Sequence, residues 1–250
     1  MFHLAAYVNA ALGSTANTDI NALSDDILTI QNNHFVMNQP TDLLAAAAMS
    51  ATLTRVKLAS PSMRQIASPY IRPIIVGATP GSNPNVALYY NNPYRLVPFE
   101  EIQMQATSGV AMTEVFTGLI WVGSTNTPWP SGNVTPLRFT SSTAAVANAW
   151  TSVTITFEDT VPSGIYAMLF SEVHSTNAQA HRWIISYQIE RPGFLSTVST
   201  GQREPYAMAL GQMGLMGRFR SNDLPRLQVL CNGTDNSHTG YLHVVRVGGL

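Results

Sequence analysis

Charge is the scarcest property of this 250-residue chain. Thirteen Lys and Arg and fourteen Asp and Glu make up 11% of it, whereas soluble domains usually carry about 25%. A compact chain of this size exposes on the order of 11,000 Å², so the charges stand at roughly one per 400 Å². A net charge of −1 excludes nucleic-acid binding by bulk positive charge. Basic residues are missing altogether from positions 1–54, where Asp19, Asp25, Asp26 and Asp42 stand alone. Basic N-terminal arms are a common device for gripping nucleic acid; an arm over residues 1–23 is the opposite, and no nucleic-acid contact is expected through it. Cysteine is nearly absent too. Cys231 is the only one, so no intrachain disulfide can form and packing must hold the fold. No apolar run approaches the roughly 18–20 residues of a membrane span; the longest candidate, Leu43 to Met49, has seven. The chain is nevertheless 45% hydrophobic and 9% aromatic, which excludes a disordered polymer. Such thin charge on a compact surface raises the question of what covers it.

Fifteen prolines and seventeen glycines punctuate short runs of β-branched and aromatic residues. Val153–Phe157, Arg182–Tyr187, Gln228–Cys231 and Tyr241–Val247 read as strands, as do Ile74–Val76, Val86–Tyr90 and Val115–Val122. Many short strands between turn signals predict an all-β sandwich or barrel. Residues 42–49 are ambiguous: an alanine run favours helix, while a strand buried on both faces fits equally.

The order of landmarks repeats. Pro40 and Pro162 each precede an apolar segment. Arg72-Pro73 is matched by Arg191-Pro192, and Pro98 by Pro225, each of the latter two before an alternating stretch. Gly123 and Gly248 each close a long apolar strand. A repeat of this length means a duplicated domain rather than a solenoid. The uncharged segment 124–136, with three prolines, reads as the linker. The expected organisation is an arm over 1–23, a first domain over 24–123, the linker, and a second domain over 137–250.

Catalytic signatures are absent: there is no Gly-x-Ser-x-Gly elbow, no His-Glu-x-x-His and no phosphate loop with its lysine. The chain is therefore expected to be no enzyme and to need no cofactor or metal. His174 and His181, seven apart around a polar turn, could hold a metal only with a third ligand such as Glu172; loop histidines facing solvent are the plainer reading. Glu100 and Glu101, neighbours on a strand, point to opposite faces and make a poor acid–base couple. Cys231 sits on an apolar-patterned strand and reads as a buried, inert thiol. Tyr89, Tyr90, Tyr94 and Arg95 form the one cluster that interleaves aromatic and basic residues. It suits a subunit contact, a sugar site or base stacking. Trp129, between Pro128 and Pro130, is expected to dock on a neighbouring surface. Twelve of the thirteen basic residues are Arg, a side chain favoured at interfaces; genomic base composition would give the same bias.

With its repeated landmarks at Arg72-Pro73/Arg191-Pro192, Pro98/Pro225 and Gly123/Gly248, and its linker at 124–136, the chain resembles the double jelly-roll major capsid proteins of tailless icosahedral viruses, including tectivirus-like phages. The resemblance spans residues 24–248 and is architectural. It implies two tandem antiparallel jelly-roll β-barrel or sandwich domains. It also implies self-assembly as pseudo-hexameric homotrimers into an icosahedral shell, a place in the virion after assembly in the host cytoplasm, and other capsid proteins as admissible partners. The competing expectation is a carbohydrate- or receptor-binding β-sandwich of a phage fibre or spike, contacting its ligand through Tyr89, Tyr90 and Tyr94.

Overall fold

The computed structural model describes residues 1–9, 18–49, 53–64, 70–71, 85–108, 115–124, 128–196 and 213–249. The fold is all-β, with one short helical turn among the described residues. The chain divides into two units: an N-terminal unit, Ala5–Ser124, and a C-terminal unit, Thr125–Leu250 together with Met1–Leu4.

The N-terminal unit contains β1 (Phe2–Asn9) from Ala5 onward, β2 (Thr18–Ile20), β3 (Thr29–Gln31), β4 (His34–Val36), β5 (Thr41–Met49), β6 (Leu53–Ala59), α1 (Pro61–Arg64), β7 (Tyr70–Ile71), β8 (Asn85–Leu88), β9 (Tyr94–Leu96), β10 (Glu101–Ser108) and β11 (Phe116–Gly123). One sheet runs β1-β11-β5-β8, with β9 also on β5. The other runs β3-β4-β10-β6-β7, with β2 also on β10. Their facing residues form one core, in which Tyr7, Leu43, Ala46 and Ile120 meet Phe35, Val56, Ile102 and Met104. Tyr7 crosses this core: its hydroxyl donates to the Ile102 carbonyl at 2.8 Å, and its ring meets Phe35 edge-on at 4.9 Å. That bond satisfies the one polar atom of an otherwise apolar side chain.

The alanine run is strand. Ala45–Ala48 pairs with β11 on one side and β8 on the other, and Leu43–Met49 is buried throughout. Helix preference is a weak local term. Two ladders of backbone hydrogen bonds and burial on both faces override it, and the small side chain suits a strand with no solvent face. Asn32 and Asn33, both at positive φ (49° and 64°), join β3 to β4 in the two-residue turn that best matches strand twist.

The C-terminal unit contains β12 (Val134–Ser141), β13 (Trp150–Val153), β14 (Thr156–Phe157), β15 (Ile165–His174), β16 (Ala178–Ile184), β17 (Gly193–Leu195), β18 (Gly217–Arg220), β19 (Arg226–Cys231) and β20 (His238–Gly248). Its sheets run β14-β12-β20-β15-β18 and β13-β19-β16-β17. Met1–Leu4 is held here. The Leu4 N–H donates to Arg191 O at 2.9 Å, and the Arg191 N–H donates to His3 Nδ1 at 3.1 Å. Phe2 packs on Phe194 at 5.8 Å.

Three expectations from the sequence change here. Val153–Phe157 is not one strand: β13 ends at Val153 and β14 begins at Thr156, and the two belong to different sheets. The chain crosses between sheets at Thr154-Ile155, where β-branched residues carry no signal of the crossing. Val134-Thr135-Pro136, read as linker, starts β12 opposite Val245, Val244 and His243. Pro136 is tolerated because β14 reaches only Phe139 and Thr140, so among the described residues β12 has an open edge there. The expected arm over 1–23 includes β1, whose place is beside β11 in a sheet.

The same strand order occurs in both units. Count the N-terminal strands as β1, β4, β5, β6, β7, β8, β10, β11 and the C-terminal ones as β12, β13, β15, β16, β17, β18, β19, β20. One sheet then reads first-eighth-third-sixth and the other second-seventh-fourth-fifth, in each unit. The landmarks fall at equivalent places. Pro40 and Pro162 precede the third strands, Pro98 and Pro225 the seventh, and Gly123 and Gly248 lie at the ends of the eighth. Arg72-Pro73 and Ile74–Val76 lie outside the described residues.

A further glycine pair stands at the third position of each eighth strand. A Cβ on Gly118 would run into Met104 Sδ. One on Gly240 would meet the Glu172 carbonyl oxygen and come within 2.6 Å of Phe139 Cζ. Gly240→Ala is therefore expected to cost about 1–3 kcal/mol in urea unfolding, while Gly249→Ala, with nothing within 4 Å, leaves stability unchanged. Equal midpoints for the two variants would show that β20 does not approach β15 this closely.

Candidate functional site

The residues singled out in the sequence fall in two places. Tyr89, Tyr90, Tyr94 and Arg95 lie in and after the turn joining β8 to β9. Tyr89 is partly buried against the N-terminal core and meets Tyr94 edge-on at 5.0 Å. Burial, with Tyr94 adding to it, pushes the Tyr89 phenol up to about 12. The Asn92 N–H donates to Tyr89 O at 2.8 Å and closes the turn. Arg95 Nη1 lies 2.9 Å from Asp42 Oδ1 on β5. Two of the three rings are thus spent on each other and the core, and the guanidinium has a carboxylate of its own sheet. Trp129 lies in the C-terminal unit, stacked on Phe170 of β15 at 6.2 Å and 19°. Phe170 stacks in turn on His243 of β20 at 3.9 Å.

His174 and His181 do not converge. His181 is not in a loop facing solvent: it lies on β16 and is fully buried. Its Nε2 is 2.8 Å from Ser171 Oγ and its Nδ1 is 2.9 Å from Ser196 Oγ. The Trp183 indole N–H also donates to Ser171 Oγ, at 2.8 Å. Ser171 is on β15 of the opposite sheet, so this cluster ties the two sheets of the unit together. A neutral imidazole satisfies it, with one nitrogen donating and the other accepting. Burial is the dominant cause that holds the ring down to about 3. Glu172 lies instead between His243 (3.3 Å) and His174 (3.8 Å). Of the acidic pair, Glu101 binds Asn32 and His34 at 2.7 and 3.0 Å, and Glu100 accepts from Ser62 Oγ at 2.6 Å. The two carboxylates therefore have separate partners.

The surface best suited to a partner was not visible in the sequence. Arg182–Tyr187 read as a continuous strand, yet β16 stops at Ile184 and the chain turns, with the Gln188 N–H donating to Ile185 O at 3.1 Å. Tyr187 occupies the third position of that turn at φ +63°, a place that normally takes Gly or Asn. The turn is firmly held. Ser186 Oγ donates to Asp223 at 2.9 Å, Gln188 Nε2 to Met216 O at 2.8 Å, and Arg191 Nη1 to the carbonyls of Gln188 and Ile189. It presents Tyr187 wholly to solvent, with Ile189 71% exposed. Beside it opens a cleft of about 730 Å³, with Met1, Ile165, Leu215 and Phe219 among its lining and Arg218, Arg220 and Asp223 contributing polar groups. A left-handed conformation costs a bulky residue about 1–2 kcal/mol. Among the described residues the ring, wholly exposed, has no packing to offset it, and strain of this kind clusters at functional sites.

No known protein family profile matches the chain, and no curated protein sequence does. Among solved structures, the PBSX exported protein XepA aligns with a TM-score of 0.28 and 10% identity over 95% of this chain and 86% of its own. The major capsid protein P2 of bacteriophage PM2 aligns with a TM-score of 0.28 and 7% identity over 99% of this chain and 98% of its own. At that level neither likeness carries an argument about this chain.

The His181 cluster makes stability depend on pH. The unfolded ring binds a proton near pH 6.5 and the native one only near pH 3. The unfolded state therefore holds more protons between those values. The stabilisation is complete above 6.5 and falls by about 1.4 kcal/mol per pH unit as pH drops towards 3. Urea unfolding at a series of pH values should show this slope, and His181→Gln should remove it. An unchanged slope in the variant would show that the ring is already protonated in the native state.

Proposed function

We propose that the chain is a structural subunit of a viral capsid, built from two tandem jelly rolls, that assembles with copies of itself and catalyses no reaction. The observation that carries this reading is the double occurrence of one strand order, first-eighth-third-sixth over second-seventh-fourth-fifth. That order is what two Greek keys folded across two sheets produce. Two such units in one chain, three chains to a capsomer, give six similar lobes that tile a shell under closed symmetry. The subunit would then reside in the virion.

The surface supports assembly between copies. Large apolar side chains stand exposed in both units, Phe99 at 78% and Tyr187 and Ile189 among them, on a chain with little charge to keep copies apart. Tyr187 suits an interface anchor: an aromatic knob, presented rigidly, next to a cleft of matching character. We assign that cleft to Tyr187 or Ile189 of a second copy. A binding role remains the second reading, favoured by the ladder of Trp129, Phe170 and His243 on the β15–β20 surface.

Negative-stain electron microscopy of the concentrated protein is expected to show capsomers or shells. Tyr187→Arg should abolish them. Tyr187→Gly should weaken them while leaving the unfolding free energy of the unassembled chain within about 1 kcal/mol, because relief of the left-handed strain offsets the flexibility glycine adds. Particles that form equally well with Tyr187→Arg would remove this contact. A chain that stays dispersed at high concentration, yet binds a sugar through Trp129, would replace the capsid reading with the second one.

A further inference from the structure

Cys231, Asp235 and His238 come together where β19 hands over to β20. Cys231 is the last residue of β19 and His238 the first of β20, and Asp235 lies in the turn between. All three are buried, and one ligand atom from each lies within 4.8 Å of the others. The sequence offered only Cys-x3-Asp-x2-His across a polar turn, a spacing that says nothing until the turn's path is known.

The three side chains differ in how they are satisfied. Asp235 is anchored: Ser175 Oγ and the Asn177 N–H donate to its Oδ2, the latter at 2.8 Å, and the Ser237 N–H donates to Oδ1 at 3.3 Å. Burial works against its charge, yet these bonds hold the carboxyl below the usual range. The backbone around it is fixed by Ala145, whose N–H donates to Asp235 O at 2.7 Å, and by Asn177 Nδ2, which donates to Thr234 O at 2.9 Å. His238 is the opposite case. It is 0% exposed, and neither ring nitrogen makes a regular hydrogen bond, although the Asp235 carboxylate and the Thr143 backbone lie close enough to favour its protonation against the larger effect of burial. A fully buried imidazole without a partner is costly. The Cys231 thiol is pushed up to about 12, by burial first and then by Asp235, so it is no nucleophile as it stands.

We propose that Cys231, Asp235 and His238 form a binding site for a divalent transition-metal ion, with Zn²⁺ the ion that suits the set. Thiolate, imidazole and carboxylate are the side chains zinc takes. With metal–ligand bonds of about 2.0–2.3 Å, ligand atoms in a tetrahedral site stand roughly 3.3–3.8 Å apart, so binding would draw in the Cys231 and His238 side chains towards the anchored carboxylate from their present spacing of within 4.8 Å. The charges close: one thiolate, one carboxylate and a neutral imidazole cancel a +2 ion, leaving a buried site with no net charge. Binding forms the metal–sulfur bond and releases the thiol proton to solvent. Ser175 and Asn177 already orient the carboxylate, as outer partners do in metal sites. His238 also lines a cavity of about 390 Å³ whose other walls are largely Ser and Thr hydroxyls, and a water from it would complete the four ligands. The ion would pin the β19–β20 connection, the last link of the unit. This proposal is independent of assembly between copies.

The test uses the full chain, stripped with a chelator and dialysed against Zn²⁺ or Co²⁺. One ion per chain is expected by elemental analysis. Cobalt should give a thiolate-to-metal charge-transfer band and the intense visible bands of a tetrahedral site. Cys231→Ser should abolish the charge-transfer band, and His238→Gln should reduce the stoichiometry. Ser175→Ala, which leaves all three ligands in place, should weaken binding by about 10–100-fold. Should a variant fail to fold, the unsubstituted chain decides alone. No bound ion, or bound cobalt without the thiolate band, overturns the proposal.

Discussion

In each unit the last strand is inserted between the first and the third, and the rest of the structure depends on that insertion. β11 lies between β1 and β5, and β20 between β12 and β15. The sheet that receives the last strand is not complete until the end of its unit has been placed, and the other sheet waits for the seventh strand, so the stabilising contacts join residues far apart in sequence. Such topologies fold slowly, because loop closure must precede any reward. With no disulfide to hold intermediates, the closing strand must fit tightly. Gly118 and Gly240 are the marks of that fit: at the third position of each closing strand, a Cβ would displace the Met104 side chain in one unit and meet the β15 backbone in the other.

Polar groups are used inside the units with the same economy. Tyr7 joins the two N-terminal sheets through one hydrogen bond to Ile102. In the C-terminal unit, Ser171, His181, Ser196 and Trp183 make the equivalent link. Arg182 is 1% exposed, with its guanidinium 4.3 Å from the Trp150 ring centre and its Nε donating to Gln228 at 2.7 Å. Arg95 and Arg138 are paired with Asp42 and Glu158. Several of the few charges are therefore already committed within the chain, and the outer surface is poorer in free charge than composition alone suggests. The preference for Arg over Lys fits this use, since a planar fork satisfies carbonyls and carboxylates at fixed positions.

Much of the fold was legible in the sequence, because strand punctuation is local. Prolines before the third and seventh strands, and glycines at the end of the eighth, mark the same points in both units. What was missed depended on three-dimensional context. Pro136 looked like linker because composition does not show that β14 stops short of it. The alanine run stayed open between a helix and a strand buried on both faces, because ladder pairing on both sides is a tertiary fact. His181 looked exposed because a polar turn precedes it, while burial is decided by the facing Ser171. The candidate contact surface was hidden for a related reason: Tyr187 continues an apolar run in sequence, and only the positive φ reveals that it leaves the sheet. Cys231 was recognised as buried, but its company with Asp235 and His238 arises from the path of one turn.

The central proposal is that copies of this chain assemble with one another, and its native mass tests that most directly. Native mass spectrometry of the purified full chain across a concentration series should show a trimer, with larger assemblies growing from it in steps of three. A monomer at every concentration would contradict the account.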